Sequence, residues 1–181
     1  PDRYRGAMFV LVITDAHSEV LEWPNDGNNL TRAEIYVEPI PFPDLVTGEV
    51  IAPAQAVEGS EIEVRYTVTN LGLGDTLVDR WSDQIWLTRD KNRPHPGQGD
   101  VLLKTIDHIG TLRRKAGYDQ LLTVKLPDLV DSGTYCIMPW TDPYSVVLED
   151  TLAVNINQDD PNQVDNNNYK GRPIEIIATR S

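Results

Sequence analysis

The sequence predicts an all-β protein, an antiparallel sandwich preceded by the last strands of a second, similar sandwich. Three observations lead there. Apolar residues alternate with polar ones over short runs separated by Gly, Pro, Asp and Asn, with no recurring helical spacing. Residues 6–22 align with 133–149 at a constant offset of 127, with seven of seventeen positions identical, where average residue usage gives about one. A proline-rich stretch, PIPFPDLV at residues 39–46, separates the two copies.

Residues 7–13, Ala-Met-Phe-Val-Leu-Val-Ile, form a strongly apolar strand that two or three companion strands cannot bury. Either the first half of its own repeat or another chain, by strand addition, has to cover it. The nonapeptide TDAHSEVLE follows and returns later as TDPYSVVLE. Asn28-Asn29 then leads into AEIYVEP, as Asn167-Asn168 leads into RPIEIIA, with a second loop longer by about 12 residues. The expected organisation is therefore residues 1–38 as the C-terminal part of a preceding repeat, 39–43 as linker and 44–178 as a complete domain. The opening Pro1-Asp2-Arg3-Tyr4-Arg5 has no start methionine or signal-peptide pattern and reads as an excised segment.

In the second region Ile62, Val64, Tyr66 and Val68 alternate with Glu61, Glu63, Arg65 and Thr67, ending at an Asn70-Leu71-Gly72 turn. On the next strand Trp81, Ile85 and Leu87 share one face and Ser82, Gln84, Trp86 and Thr88 the other, so Trp81 is expected in the core and Trp86 outside it. Further strands are expected at 101–107, 118–126, 134–140 and 173–178.

The stretch Asp131-Ser132-Gly133-Thr134-Tyr135 resembles the turn before strand F of immunoglobulin-like domains, where a tyrosine hydroxyl closes the corner on nearby backbone. Antibody-type domains place cysteine two residues later. Here Ile137 stands there, and the single Cys136, facing the other way, can form no internal disulfide. The ordered set Pro43-Asp44-Leu45-Val46, Tyr66-Thr67-Val68-Thr69-Asn70-Leu71-Gly72, Trp81 to Thr88, Asp100 to Leu103, Leu126-Pro127, Gly133-Thr134-Tyr135, Thr141-Asp142, Val147-Leu148-Glu149 and Asn166-Asn167-Asn168 resembles the CARDB family, the cell adhesion related domain found in bacteria. That resemblance implies an immunoglobulin-like seven-stranded antiparallel sandwich, used in tandem in large secreted or surface-attached bacterial proteins, and no reaction. Two loops, 92–99 and 153–164, are longer than its pattern.

Net charge is −12 and pI about 4.5, which repels nucleic acid and anionic lipid alike. No apolar run approaches the roughly 18 residues a membrane span needs. Nucleophile, phosphate-loop, dinucleotide and metalloprotease motifs are absent from the sequence, and His17, His95 and His108 share no spacing. His95, between prolines, is expected to be solvated.

Oxygen side chains gather in two regions. Asp90, Asn92 and Asp100 bracket one loop. Asp142, Glu149, Asp159, Asp160, Asp165 and Asn166 to Asn168 gather around another, echoed by Asp15, Glu22, Asn28 and Asn29 in the half copy. Two readings fit both regions: these residues close turns and bond neighbouring amides, or they hold calcium. Trp23, Trp86, Trp140 and Tyr144 are candidates for a sugar-stacking platform, with Trp86 the one that strand alternation places outside. Asn29-Leu30-Thr31 is a glycosylation sequon.

The expected function is a non-catalytic structural or adhesive module of a large repetitive extracellular or cell-surface bacterial protein, with calcium as the candidate cofactor. Its partners would be neighbouring repeats or other copies of the chain, or a cell-surface or matrix glycan, with neither nucleic acid nor membrane insertion. Two alternatives stand beside it: a carbohydrate-binding module of a secreted hydrolase, and a filament or surface-layer subunit assembling by strand complementation.

Overall fold

The computed structural model describes residues 6–21, 24, 27–38, 40–149 and 167–179 and divides the chain into two compact units, residues 1–40 and 41–181. Among the described residues there is no helix, and so none long and apolar enough to cross a membrane.

The first unit is an antiparallel hairpin of β1 (Gly6–Ile13) and β2 (Leu30–Val37), in register from Gly6↔Val37 to Ile13↔Leu30. Its alternation is apolar on both faces of β1, so no rotation of the strand could hide it, and Phe9 to Ile13 are each 47–57% exposed. The Arg32 guanidinium sits 5.2 Å from the Phe9 ring centroid, a small cover for a large apolar surface.

The second unit is an immunoglobulin-like sandwich. Its strands are β3 (Leu45–Ile51), β4 (Gln55–Val57), β5 (Glu61–Asn70), β6 (Arg80–Thr88), β7 (Val101–Ile109), β8 (Gly117–Lys125), β9 (Gly133–Thr141) and β10 (Arg172–Ile177). One sheet has the order β3-β5-β8 and the other β4-β10-β9-β6-β7. The leading strand divides at Ala52-Pro53-Ala54, where proline supplies no N–H to a ladder. Its first part, β3, pairs antiparallel with β5, and its second, β4, pairs parallel with β10. Counted as one strand, β3 and β4 bring the sandwich to seven.

Alternation sets the core. Ile62, Val64, Tyr66 and Val68 of β5 are buried while Glu61, Glu63 and Arg65 face water, and Trp81, Ile85, Leu87, Tyr135, Ile137, Ile174 and Ile176 close the other side. The Tyr135 hydroxyl donates to the Asp131 carbonyl at 3.1 Å, so the corner expected from the Asp-Ser-Gly-Thr-Tyr stretch forms. Cys136 is buried on the opposite face.

One core position carries charge chemistry. Asp83, 1% exposed, lies on β6 between Trp81 and Ile85. It accepts from the Tyr66 hydroxyl at 2.8 Å, the Tyr118 hydroxyl at 2.8 Å and the Thr141 hydroxyl at 2.7 Å. Tyr66 and Tyr118 belong to the three-stranded sheet, Asp83 and Thr141 to the five-stranded one, so a single carboxyl links both. Burial raises its pKa, opposed by the Thr141, Tyr66 and Tyr118 hydrogen bonds and by His108. The His108 ring stacks between Trp81 and Tyr118, with centroids 4.0 and 4.3 Å apart.

Asn70, fully buried, fixes where the unit begins. Its Oδ1 accepts from the Asp44 and Gly72 amides, each at 3.1 Å, and its Nδ2 donates to the carbonyls of Gly74 at 2.9 Å and Leu112 at 3.0 Å. Residues 70–74 press so closely on 41–44 that a Cβ on Gly74 would fall 1.9 Å from the Pro41 carbonyl oxygen.

Trp86 departs from expectation: it is 6% exposed, packed with Cys136, Met138 and Tyr169 and with the partly buried Trp140. Alternation does place it outside the sandwich core. However, the chain returning at residues 167–171 bridges Trp140 to Tyr169 and brings Gly171 against Met138, which covers that outer face. His95 is half-buried, its amide donating to Asp100, rather than solvated.

Replacing Asp83 by Ala takes the shared acceptor from the buried Tyr66 and Thr141 hydroxyls and the partly buried Tyr118 hydroxyl. It is expected to lower the unfolding free energy by about 3 kcal/mol or more, read from urea denaturation with an unchanged slope. Tyr66→Phe, which removes one donor, should cost about 1 kcal/mol in the same measurement.

Candidate functional site

The polar residues singled out in the sequence fall in three places. Asp90, Asn92 and Asp100 lie in the loop between β6 and β7. Asp90 Oδ1 accepts from the Asn92 amide at 2.8 Å and its Oδ2 from Asn92 Nδ2 at 3.2 Å. Asp100 accepts from the Arg89 amide at 3.3 Å and the His95 amide at 2.8 Å. Each carboxylate thus binds main chain within its own loop, which holds the loop's ends together.

The second place is the end of the sandwich where β9 leaves and β3 begins. Thr141-Asp142-Pro143-Tyr144-Ser145 turns with Asp142 and Ser145 at φ of 47° and 52°, left-handed values that Asp tolerates through local side-chain bonding. The Ser145 amide donates to the Asp142 carbonyl at 3.0 Å. The Asp142 carboxylate takes the Val146 and Val147 amides at 2.9 and 2.8 Å. Glu149, also buried, accepts from the Leu45 amide at the start of β3 and from Asn168 Nδ2 at 3.1 Å. Asn167 Nδ2 donates to Asp44 Oδ1 at 2.9 Å, and the Asn167 and Asn168 carbonyls receive the Thr47 amide and hydroxyl at 3.0 and 2.5 Å. Glu149, Asn167 and Asn168 therefore form one polar clamp on the start of the first strand, through Asp44, Leu45 and Thr47, while the Asp142 carboxylate closes its own turn beside it.

The third place is the matching loop of the hairpin unit. Asp15 and Ser18 have φ of 45° and 53°, the Ser18 amide donates to the Asp15 carbonyl at 2.9 Å, and the Glu19 and Val20 amides donate to the Asp15 carboxylate at 2.7 and 3.0 Å. The Thr14 amide meets the Asn29 carbonyl at 2.9 Å, as Thr141 meets Asn168 at 2.7 Å. The repeated nonapeptide is a repeated loop. Asn28 is exposed. Glu22, Asp159, Asp160, Asp165 and Asn166 lie outside the described residues.

Among the described residues no group of three or more His, Cys, Asp and Glu side chains converges as a metal site. Two side-chain oxygens in the clamp, Asn167 Oδ1 and Asn168 Oδ1, are nevertheless buried without a hydrogen-bond partner among the described residues. They stand beside Asp44 and Glu149, the carboxylates their own amide nitrogens contact. Asp44 went unmarked in the sequence as a site residue because its partner is 123 positions away. Asp83 had a signal, since its parity with Trp81 and Ile85 puts an acid on the core face.

Burial holds the Asp44 carboxyl above its usual pKa, opposed by the Asn167 bond. Burial likewise pushes Asp142 up to about 6, against the Val146 and Val147 amides and aided by the charge of Asp83.

No family model matches the chain, and no curated protein matches it. Among solved structures it is similar to the CARDB domain of a Pyrococcus furiosus protein. The crystal structure of that domain, in complex with di-metal ions, has 20% identity over 75% of this chain and 90% of that one, with a TM-score of 0.46. Its solution structure has 20% identity over 76% of this chain and 98% of that one, with a TM-score of 0.49. A β-glucosidase from Erythrobacter marinus is similar at 14% identity over 75% of this chain but 16% of its own length, with a TM-score of 0.41.

The raised pKa of Asp142 fixes the sign of a pH effect. The stability contributed by its protonated form is complete below about pH 4 and is lost as the pH rises through about 6. Lowering the pH from 7.5 to 5 should therefore raise the unfolding free energy, by on the order of 1 kcal/mol from this group. Urea midpoints at the two pH values check this, and Asp142→Asn should flatten the difference.

Proposed function

We propose that the chain is a non-catalytic structural and adhesive module of a large repetitive bacterial surface or secreted protein. Residues 1–38 are the C-terminal part of a preceding repeat, residues 44–178 are a complete one, and the immediate partners are neighbouring repeats. The observation that carries this reading is how the complete unit would meet tension. Its leading strand β4 and its closing strand β10 are parallel neighbours, paired from Glu175↔Gln55 to Ile177↔Val57. The Glu175 amide donates to the Ala54 carbonyl at 2.9 Å and the Glu58 amide to the Ile177 carbonyl at 3.0 Å. A pull on the two ends of the unit drives these strands past each other along their length, so the bonds share the load instead of opening one after another. A spacer that displays other domains away from a cell needs that property.

A sugar platform on Trp86 loses its basis, because that ring is buried. Tyr144 stays exposed, its hydroxyl accepting from Gln84 Nε2 at 2.9 Å. Calcium is a second reading, favoured by the two unpartnered amide oxygens beside Asp44 and Glu149. Carboxylate and amide oxygens are the donors that this hard cation takes, and calcium there would tighten the clamp on β3.

Single-molecule stretching of the chain from its two ends is expected to give a discrete unfolding peak. Ala56→Pro, which removes a main-chain N–H from the middle of β4, should lower its force. Unfolding at low force without a peak would count against the spacer reading. For calcium, the melting temperature in 1 mM calcium should exceed that in chelator by several degrees, since a ligand of the folded state raises stability, and Asn168→Ala should remove the gap. Equal melting temperatures would exclude a structural cation.

A further inference from the structure

The bare hairpin matches a covered one within the same chain. With the offset of 127, β1 corresponds to β9, so Met8 and Val10 fall on Tyr135 and Ile137 of the sandwich core, while Phe9 and Leu11 fall on Cys136 and Met138 of the outer cluster. With the offset of 139 that follows the longer second loop, β2 corresponds to β10, and Ile35 and Val37 fall on Ile174 and Ile176. The strand registers agree as well. Met8↔Ile35, Gly6↔Val37 and Val10↔Ala33 are the counterparts of Tyr135↔Ile174, Gly133↔Ile176 and Ile137↔Arg172. The hairpin therefore carries the faces, register and loop of a closing hairpin.

What covers a closing hairpin is visible in the second unit. There β9 is a central strand, with β10 on one edge and β6 antiparallel on the other, and β10 takes β4 in parallel on its far edge. The sheet β3-β5-β8 lies on the inner face. The sequence of β1, Gly-Ala-Met-Phe-Val-Leu-Val-Ile, is that of such a central strand: it has no charge and no proline, the devices that protect a strand meant to stay at an edge. β2 interrupts its apolar residues with Arg32 and Glu34.

We infer that β1–β2 is a docking surface for a half-sandwich of the β3–β8 kind carried by the same polypeptide. That half-sandwich gives β1 an antiparallel strand in the register of β6 against β9, and β2 a parallel strand in the register of β4 against β10. Its apolar sheet lies against Met8, Val10, Ile35 and Val37. The inference rests on reading residues 1–38 as the end of a repeat. It goes further by naming the occupant of each edge and face.

The test replaces residues 1–5 by a second copy of residues 41–132, so that Ser132 joins Gly6 as it joins Gly133. Hydrogen exchange of the Gly6–Ile13 amides is compared with that in the unextended chain, and protection is expected to rise by about 100-fold or more. Val10→Asp in the extended chain should abolish the gain and leave exchange in residues 44–178 unchanged. A cysteine at Gln84 of the added copy should form a disulfide with Ile13→Cys, its partner in the transferred β6–β9 register, and fail to do so with Val12→Cys. Unchanged exchange, a gain that survives Val10→Asp, or cross-linking in the shifted register would overturn the inference. So would protection in the unextended chain that grows with concentration, because a second copy would then be the cover. Glycan binding or a missing force peak would refute the spacer reading without altering these exchange results.

Discussion

The sandwich depends on one buried carboxyl. Immunoglobulin-type cores of the antibody kind join their sheets with a disulfide, which a chain with a single cysteine cannot form. Asp83 takes that place by a different route, drawing hydroxyls from both sheets onto two oxygen atoms. The consequences differ from those of a covalent bridge. A disulfide acts chiefly by restricting the unfolded chain, whereas the Asp83 network stabilises the folded state and only when complete. A half-satisfied buried carboxyl is worse than a hydrocarbon. Full stabilisation by the network therefore requires the strands carrying Tyr66, Tyr118 and Thr141 all to be in their final register.

The polar clamp repeats this logic at the edge of the fold. Glu149, Asn167 and Asn168 do for the first strand what Asp83 does for the sheets, turning the Leu45 and Thr47 amides, the Thr47 hydroxyl and the Asp44 carboxylate into partners for residues more than a hundred positions later. Both devices bury acid, in a chain that already carries a net charge of −12. The raised pKa values of Asp44, Asp83 and Asp142 express that cost in the same direction. Asn70 adds a neutral counterpart, with its amide fully engaged in fixing where the unit begins.

How much of this was legible in the sequence follows from the range over which each feature is set. Strand faces came from alternation, which is local, and Ile62 to Val68, Trp81 and Tyr135 lie where it places them. The Tyr135 corner was legible because the hydroxyl and its acceptor are four residues apart. Trp86 was misplaced because alternation distinguishes the two faces of a sheet but is blind to a later segment folding over the outer one. The Thr-Asp and Asn-Asn motifs meet in the structure, Thr141 with Asn168 and Thr14 with Asn29, and the Asp15 and Asp142 carboxylates take main-chain amides of their own turns. Glu149 was marked, yet its link to Leu45 was not, since no spacing encodes a contact between the two ends of a domain.

The divided leading strand has a consequence for biosynthesis. Because β4 pairs with β10, a unit cannot close until nearly its last residue has left the ribosome, and until then its front half displays an open slot. Pairings of such sequence separation form slowly. Under the tandem arrangement proposed above, the slot would meet other hairpins of the register that β1–β2 and β9–β10 share, and register would offer no means of rejecting them. Discrimination would then rest on side chains, with Tyr135 and Ile137 in one hairpin against Met8 and Val10 in the other. On that reading, divergence between the two hairpins would be a safeguard of assembly, keeping each with its own half.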